Sequence, residues 1–488
     1  MESAWSTTAI NLAPTHRDQP AIIPATRQPH HGDDADEQGQ RAVATAPSPT
    51  IGRMSPVSRG RTSKGKKSKT TSGLGGAAHH RADGMQAAQG RSVLTRMQSL
   101  LLGPPQRPAW FDSSIKAVLD RAGVVMAARG PRELEQATAE LLGAELHRVL
   151  RDEREGMWFS WWFEELTAAA TARIREQVGS RDGGWGPAWR LLHGLTSIGS
   201  PALASIARSA LDRVRKELRG DPVVRQQPDW LRQLARITAT GEVWEMRDAY
   251  GTRIALIAGF CYPGGVDRSV FLFDIDACGI IEIAYAGVFD DVAQAATAWR
   301  TLVGDTADSA QPERVKTAER LVCLVHCDSG EDILKGTESR TVMDNWFRAR
   351  RRIHDLADAL RKRGMPLPAA RSLYRNLDTD SMAAEFTDWY ARRHGSEPDP
   401  EVAGALAEEW MEGALPDTWH AVSPHRVEFQ LTLINDWISD DPITVGAKAL
   451  LPEWVRWHGE QAGLPEHLVD RGVAVAAGGV ARVTQRLD

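Results

Sequence analysis

Cysteine is scarce in this chain of 488 residues: Cys261, Cys278, Cys323 and Cys327 are the only four. That number cannot staple a protein of this length, and it predicts a reduced, cytoplasmic setting. Long apolar runs are missing as well. The longest weakly apolar stretch, Gly472 to Ala481, falls well short of the ~20 residues that span a bilayer, so no membrane association is expected. The opening MESAWSTTAINLAP has neither a basic n-region nor an apolar h-region, and no secretion signal is read there. Also absent are a Gly-rich phosphate loop of the P-loop or Rossmann kind and a Gly-x-Ser-x-Gly elbow, which removes the common nucleotide-fold and serine-hydrolase signatures. Tyrosine is rare, 5 residues, where tryptophan reaches 17. Most tryptophans recur at helical spacing, as in Trp158, Trp161 and Trp162 or Trp454 and Trp457, and are expected to be core anchors.

What the chain does contain is unevenly charged. Before Trp110 there are 14 Lys+Arg against 7 Asp+Glu, and after it 45 against 57. A basic tail thus precedes an acidic body. Length suggests roughly two to four domains, and four segments are read. Residues 1–91, poor in aliphatic and aromatic side chains, are expected to be a disordered basic tail. Residues 92–220 carry helical periodicity and form an all-α unit. Residues 221–335 hold a small sheet domain, and 336–488 are helical again. The expected fold class is α+β, mostly α: a four-stranded antiparallel meander with a covering helix between two helical units.

The meander lies between Gly241 and Gly304. Ile254, Leu256, Ala258 and Phe260 alternate as one strand face, then Phe271, Phe273 and Ile275, then Ile281, Ile283 and Tyr285. Turns are read at Asp248–Gly251, Tyr262–Gly265 and Asp276–Gly279. Asp290 and Asp291 open the covering helix, where the macrodipole favours acids. Residues 305–315 read as a polar connector, and Leu321 to Val325 as one more short strand. Thr341 to Arg363 reads as a single helix whose Val342, Trp346, Ala349, Ile353, Leu356 and Leu360 make a heptad-like seam. The seam packs either within the domain or against a partner, including a second copy, through the Thr341–Leu360 helix.

Two groups of residues could carry chemistry. Asp274 and Asp276, in VFLFDIDACG, superficially resemble the first motif of haloacid-dehalogenase-type phosphohydrolases, with one Asp as nucleophile and one as general acid beside Mg²⁺. The usual Thr or Val after the pair is Cys278 here, and the supporting Ser/Thr, Lys and paired Asp are missing. A turn explains Asp276, and Asp274 is expected to face solvent. Cys323, His326, Cys327 and Asp328 could ligate zinc, but no second pair follows at zinc-finger spacing, so no metal and no cofactor is assigned.

The second group is basic. Arg59, Arg61, Lys64, Lys66, Lys67 and Lys69 in the tail suit a phosphate backbone. So do Arg340, Arg348, Arg351 and Arg352 on the arginine helix, unless acidic neighbours pair with them internally. The combination GEVWEMRDAYGTR, FLFDIDACG, GVFDDVAQAATAWR, GTESRTVMDNWFRARRRIHDLADALRKRGMPLP and SPHRVEFQL resembles a group of uncharacterised proteins from high-GC actinobacteria, over about residues 231–475. The resemblance implies a lineage and a cytoplasmic setting, and no catalytic residue. The reading is therefore a non-enzymatic regulatory or interaction protein that engages nucleic acid through the tail and the arginine helix. The alternative is a metal-dependent phosphoester hydrolase using Asp274 and Asp276.

Overall fold

The computed structural model describes residues 106–152, 158–178, 184–219, 227–263, 268–279, 281–329, 338–368, 378–412, 414–437 and 440–479. The tail cations Arg59, Arg61, Lys64, Lys66, Lys67 and Lys69 lie outside them.

Five helices build the first layer: α1 (Trp110–Arg121), α2 (Pro131–Asp152), α3 (Phe159–Gln177), α4 (Gly186–Ile198) and α5 (Pro201–Glu217). Sequence dictates which one is central. GPAWRLLHGLTSI is apolar around its whole circumference, so α4 must be enclosed, and every residue except Pro187 and Arg190 is buried. Trp162 of α3 and Trp189 of α4 are among the largest fully buried side chains, whereas Trp158, expected to be a core anchor, is 41% exposed.

A short α6 (Asp229–Gln233) leads to the sheet. The strands are β1 (Thr238–Arg247), β2 (Arg253–Cys261), β3 (Arg268–Asp276) and β4 (Glu282–Phe289), all antiparallel to their neighbours. Together they form the expected meander. A fifth strand, β5 (Glu313–Arg314), pairs with β1, so the order is β4-β3-β2-β1-β5. Its two residues are exposed and polar, and no hydrophobic pattern announced it inside the polar connector.

Both faces of the sheet are covered. Ala255, Ile257, Val270 and Leu272 lie under α7 (Val292–Val303), which supplies Ala295, Ala296, Trp299 and Val303. Asp291 caps α7 by accepting from the Gln294 N–H at 2.8 Å. The opposite face, with Leu256, Phe260, Phe271 and Phe273, meets Ala349, Ile353, Leu356 and Leu360.

Three local expectations are overturned. A register shift in β4 sets Tyr285 against Asp274 but Ile283 against Ile275. The extra residue is a bulge, so Ile283 faces one core and Tyr285 the other. The run beginning at Leu321 is α8 (Val322–Ser329), not a strand. A short buried apolar run has no periodicity to separate the two forms. The arginine helix is two helices, α9 (Arg340–Asp344) and α10 (Trp346–Lys362), broken at Asn345. The Asn345 amide donates to the Ala286 carbonyl at 2.7 Å and to the Thr341 carbonyl at 3.0 Å.

That break divides the seam between two cores. Val342 and Trp346 enter the core of α1–α5, while Ala349, Ile353, Leu356 and Leu360 enter the sheet core. The remaining helices, α11 (Thr379–His394), α12 (Pro400–Met411), α13 (Pro424–Asn435), α14 (Pro442–Gln461) and α15 (Glu466–Ala476), close around Phe386, Trp410, Trp454 and Trp457. Tyr250, from the β1–β2 turn, joins that core and donates to the Leu468 carbonyl at 3.1 Å. No helix among the described residues is long and apolar enough to cross a membrane.

Candidate functional site

Asp274 does not face solvent. It sits on the α7 side of β3, fully buried, in an ion pair with Arg253. Its Oδ1 also accepts from the Trp299 indole N–H at 2.9 Å. Both oxygens are engaged beneath a helix, where a phosphoryl group has no approach. The strand register produces this pairing: Arg253 lies opposite Asp276 and diagonal to Asp274.

Asp276 does form the expected turn, its Oδ1 accepting from the Cys278 N–H at 2.8 Å. Its Oδ2 faces His425 Nδ1 at 3.0 Å, close to the start of α13, and Arg253 at 4.0 Å. Burial alone would push this carboxyl up. The His425 hydrogen bond and charge, with Arg253, override it and hold Asp276 well below the usual carboxylate range. Neither His425 nor Ser423, whose Oγ lies 3.1 Å from Cys278 Sγ, stands out in sequence as a companion of the Asp pair. They come from a helix far along the chain.

Arg348, Arg351 and Arg352, expected to suit a phosphate backbone, are buried and form no open basic surface: relative exposures are 2%, 8% and 1%. Helix α10 lies between α2, α4 and the sheet, so its polar flank turns inward as well as its apolar one. Arg352 pairs with Glu135 of α2 at 2.5 Å and with Asp355 at 2.9 Å. Arg351 pairs with Asp355 at 2.8 Å and donates to the Gly199 carbonyl at 3.3 Å. Arg350 stacks on Trp346, its guanidinium 3.6 Å from the ring centroid. Arg340 alone of the four predicted contacts is solvent-facing, and it pairs with Asp344 at 2.6 Å.

Arg348 differs from its neighbours. Its Nε and Nη2 donate to Asn345 Oδ1 at 2.9 and 2.5 Å, and its Nη1 donates to Gln136 Oε1 at 2.6 Å. Both acceptors are neutral amides. Among the described residues, Glu135 Oε1 stands 3.9 Å from Arg348 Nη1, beyond hydrogen-bond distance, while Oε2 of the same carboxylate pairs with Arg352. Burial holds the Arg348 guanidinium below its ordinary value, whereas in Arg352 carboxylate attraction outweighs the same burial and the shift is upward.

Arg348 lines a half-open cleft of about 630 Å³. One wall is the edge strand β4, from Tyr285 to Phe289, and the other is the first turns of α2 and α9. Gln136, Thr341 and Asn345 bring polar groups to its lining, and at the rim Arg132 pairs with Asp290 at 2.6 Å. Volume and polarity suit a small molecule held by a few convergent groups. Glu135, Gln136 and Asn345 escaped the sequence reading. Glu135 had a faint signal, as a carboxylate one residue from the apolar stripe of α2.

Comparisons with family models, curated proteins and solved structures return no match. The site is therefore read from its own geometry.

Proposed function

We propose that this chain is a non-enzymatic, regulatory ligand-binding protein whose cleft takes a small anion, a molecule carrying a phosphate or carboxylate, against Arg348. One observation carries the reading. Arg348 is a buried guanidinium on the cleft wall whose hydrogen-bond acceptors, among the described residues, are all neutral amides. Its ion pair with Glu135 is long, 3.9 Å, and that carboxylate also serves Arg352; a buried charge so weakly compensated is costly, and a bound anion adds counter-charge. Among the described residues three of the five N–H donors of Arg348 are used, which leaves capacity for a ligand. A cytoplasmic setting fits four cysteines that all remain thiols.

The test is a calorimetric panel of inorganic phosphate, nucleoside monophosphates and dicarboxylates, with two variants. Arg348→Met should weaken binding about 10- to 100-fold, the value of a charged hydrogen bond. Gln136→Glu puts a carboxylate in the position of the amide that now meets Arg348. It should abolish anion binding while the fold holds. If no anion in the panel binds the native chain, or if Gln136→Glu binds like the native chain, the reading fails.

A further inference from the structure

The geometry points to a transition-metal site of the zinc class, formed by Asp276, Cys278 and His425, separate from the arginine cleft. Each residue offers one ligand atom, and those atoms all lie within 4.8 Å of one another. Two come from a single turn, Asp-x-Cys, and the third from the beginning of α13. In a tetrahedral zinc site, bonds of ~2.0–2.3 Å put the ligand atoms ~3.3–3.8 Å apart. His425 Nδ1 and Asp276 Oδ2 are already at 3.0 Å. Closing the set takes about 1 Å of adjustment in its widest pair. The His425 side chain is 51% exposed and can supply that movement.

The turn and the helix are held together independently of any ion. Cys278 Sγ lies 3.1 Å from Oγ of Ser423, the residue that caps α13. A Cβ on Gly279 would sit 2.7 Å from the ring of Phe429 on the same helix. The fold thus holds the carboxylate and the thiol side by side.

Charge and ligand type select the ion. Arg253 pairs closely with Asp274 and stands 4.0 Å from Asp276, so the Asp276 carboxylate and, once its proton is displaced, the Cys278 sulfur can act against a dication. The mixture of sulfur, nitrogen and oxygen suits Zn²⁺ or Co²⁺ and disfavours Mg²⁺ and Ca²⁺, which take oxygen ligands. On binding, the thiol proton leaves to solvent and the Sγ–metal bond replaces it. Three protein ligands leave a fourth position on the exposed His425 side, open to water or an exogenous ligand.

Co²⁺ titration of the chelator-treated full chain tests the site, read by the thiolate-to-cobalt charge-transfer band and by competition with Zn²⁺. The native chain should take up about one equivalent with that band present, as expected for a site with one thiolate. Cys278→Ser should lose the band, and His425→Ala should weaken uptake at least ~10-fold, since even outer-shell changes cost that much. His425 also partners the buried Asp276 carboxylate, so circular dichroism checks the fold of both variants. The assignment is overturned by absence of the band in the native chain. It is equally overturned if the band survives Cys278→Ser but disappears in Cys323→Ser, which would place the metal at the α8 cysteines.

Discussion

Replacing Glu135 by glutamine probes the interior charge network most directly. Glu135 is wholly buried, with Arg352 at 2.5 Å and Arg348 at 3.9 Å. The only other carboxylate of the group, Asp355, is shared by Arg351 and Arg352 at 2.8 and 2.9 Å. The native group sets three guanidiniums against two carboxylates, and the variant sets three against one. Removing one partner of a buried pair costs ~3–5 kcal/mol, because the other charge stays inside uncompensated. The glutamine amide still accepts one hydrogen bond from Arg352, which puts the expected loss near the lower end, about 3 kcal/mol. That is a large fraction of the ~5–15 kcal/mol that holds a folded domain together.

Urea denaturation followed by tryptophan fluorescence reads the loss as a lower midpoint at constant slope. Asp152→Asn is the control. Arg148 and Asp152 also meet at 2.9 Å, but their side chains are 48% and 58% exposed, so that pair contributes at most about 1 kcal/mol. A second arm combines Glu135→Leu with Arg352→Met, which should recover much of the loss because an apolar replacement leaves no orphaned charge at that pair. If Glu135→Gln shifts the midpoint no more than Asp152→Asn does, the cluster is hydrated and the inward-facing description of α10 is wrong.

Burial holds His193 down to about 3, against an ordinary 6.5. The folded chain therefore binds fewer protons than the unfolded one across that window, and stability falls as pH drops through 6.5, by about 1.4 kcal/mol per pH unit. A His193→Gln variant should show a flatter acid limb in urea midpoints between pH 6.5 and 5; parallel curves would mean the imidazole is accessible. Asp248 works in the opposite sense: burial raises it to about 6 from 3.8, so it adds stability as pH falls through 6, and Asp248→Asn should remove that gain. At Gly143 a Cβ would stand 2.2 Å from Asp344 Cα. Gly143→Ala must therefore push α9 away, at ~1–3 kcal/mol or more by overpacking, and loosen anion binding at the adjoining cleft; native stability would refute the close approach. For the tail, duplex binding across a salt series should weaken on deletion of residues 58–71, the salt slope falling by ~0.9 per lost phosphate contact. An affinity indifferent to salt and to the deletion removes the nucleic-acid role of Arg59, Arg61, Lys64, Lys66, Lys67 and Lys69.

Sequence legibility followed the range of the forces involved. The meander was readable because alternation at Ile254–Phe260 and Phe271–Ile275 reports burial directly on both flanks of each strand. Helix α13 was readable because Ser423 and Pro424 specify its first turn locally, and the Ser423 hydroxyl accepts from the Arg426 N–H at 3.3 Å. Failures came where a distant group decides the outcome. The break at Asn345 depends on the Ala286 carbonyl, and β5 depends on an open edge of β1. The Asp276–Cys278–His425 set depends on bringing a turn to a helix that starts well over a hundred residues later.

The arginine helix shows how far a local pattern can be carried. Counting charges along Arg340–Arg363 could not reveal Glu135, which belongs to another helix. Yet the spacing holds more than the count. Asn345, Arg348, Arg352 and Asp355 are separated by three, four and three residues, the same steps that arrange Ala349, Ile353, Leu356 and Leu360 into a seam. Residues at such steps share a helix face, so a polar line runs beside the apolar one. A solvated face would be expected to carry charges irregularly, without an amide and an acid placed to answer the arginines. Two parallel lines with matched periods require a helix covered on two sides, which is where α10 lies. Arg352 and Arg351 find carboxylates along that polar line. Arg348, at the end nearest the cleft, finds amides as its hydrogen-bond acceptors, with Glu135 no nearer than 3.9 Å.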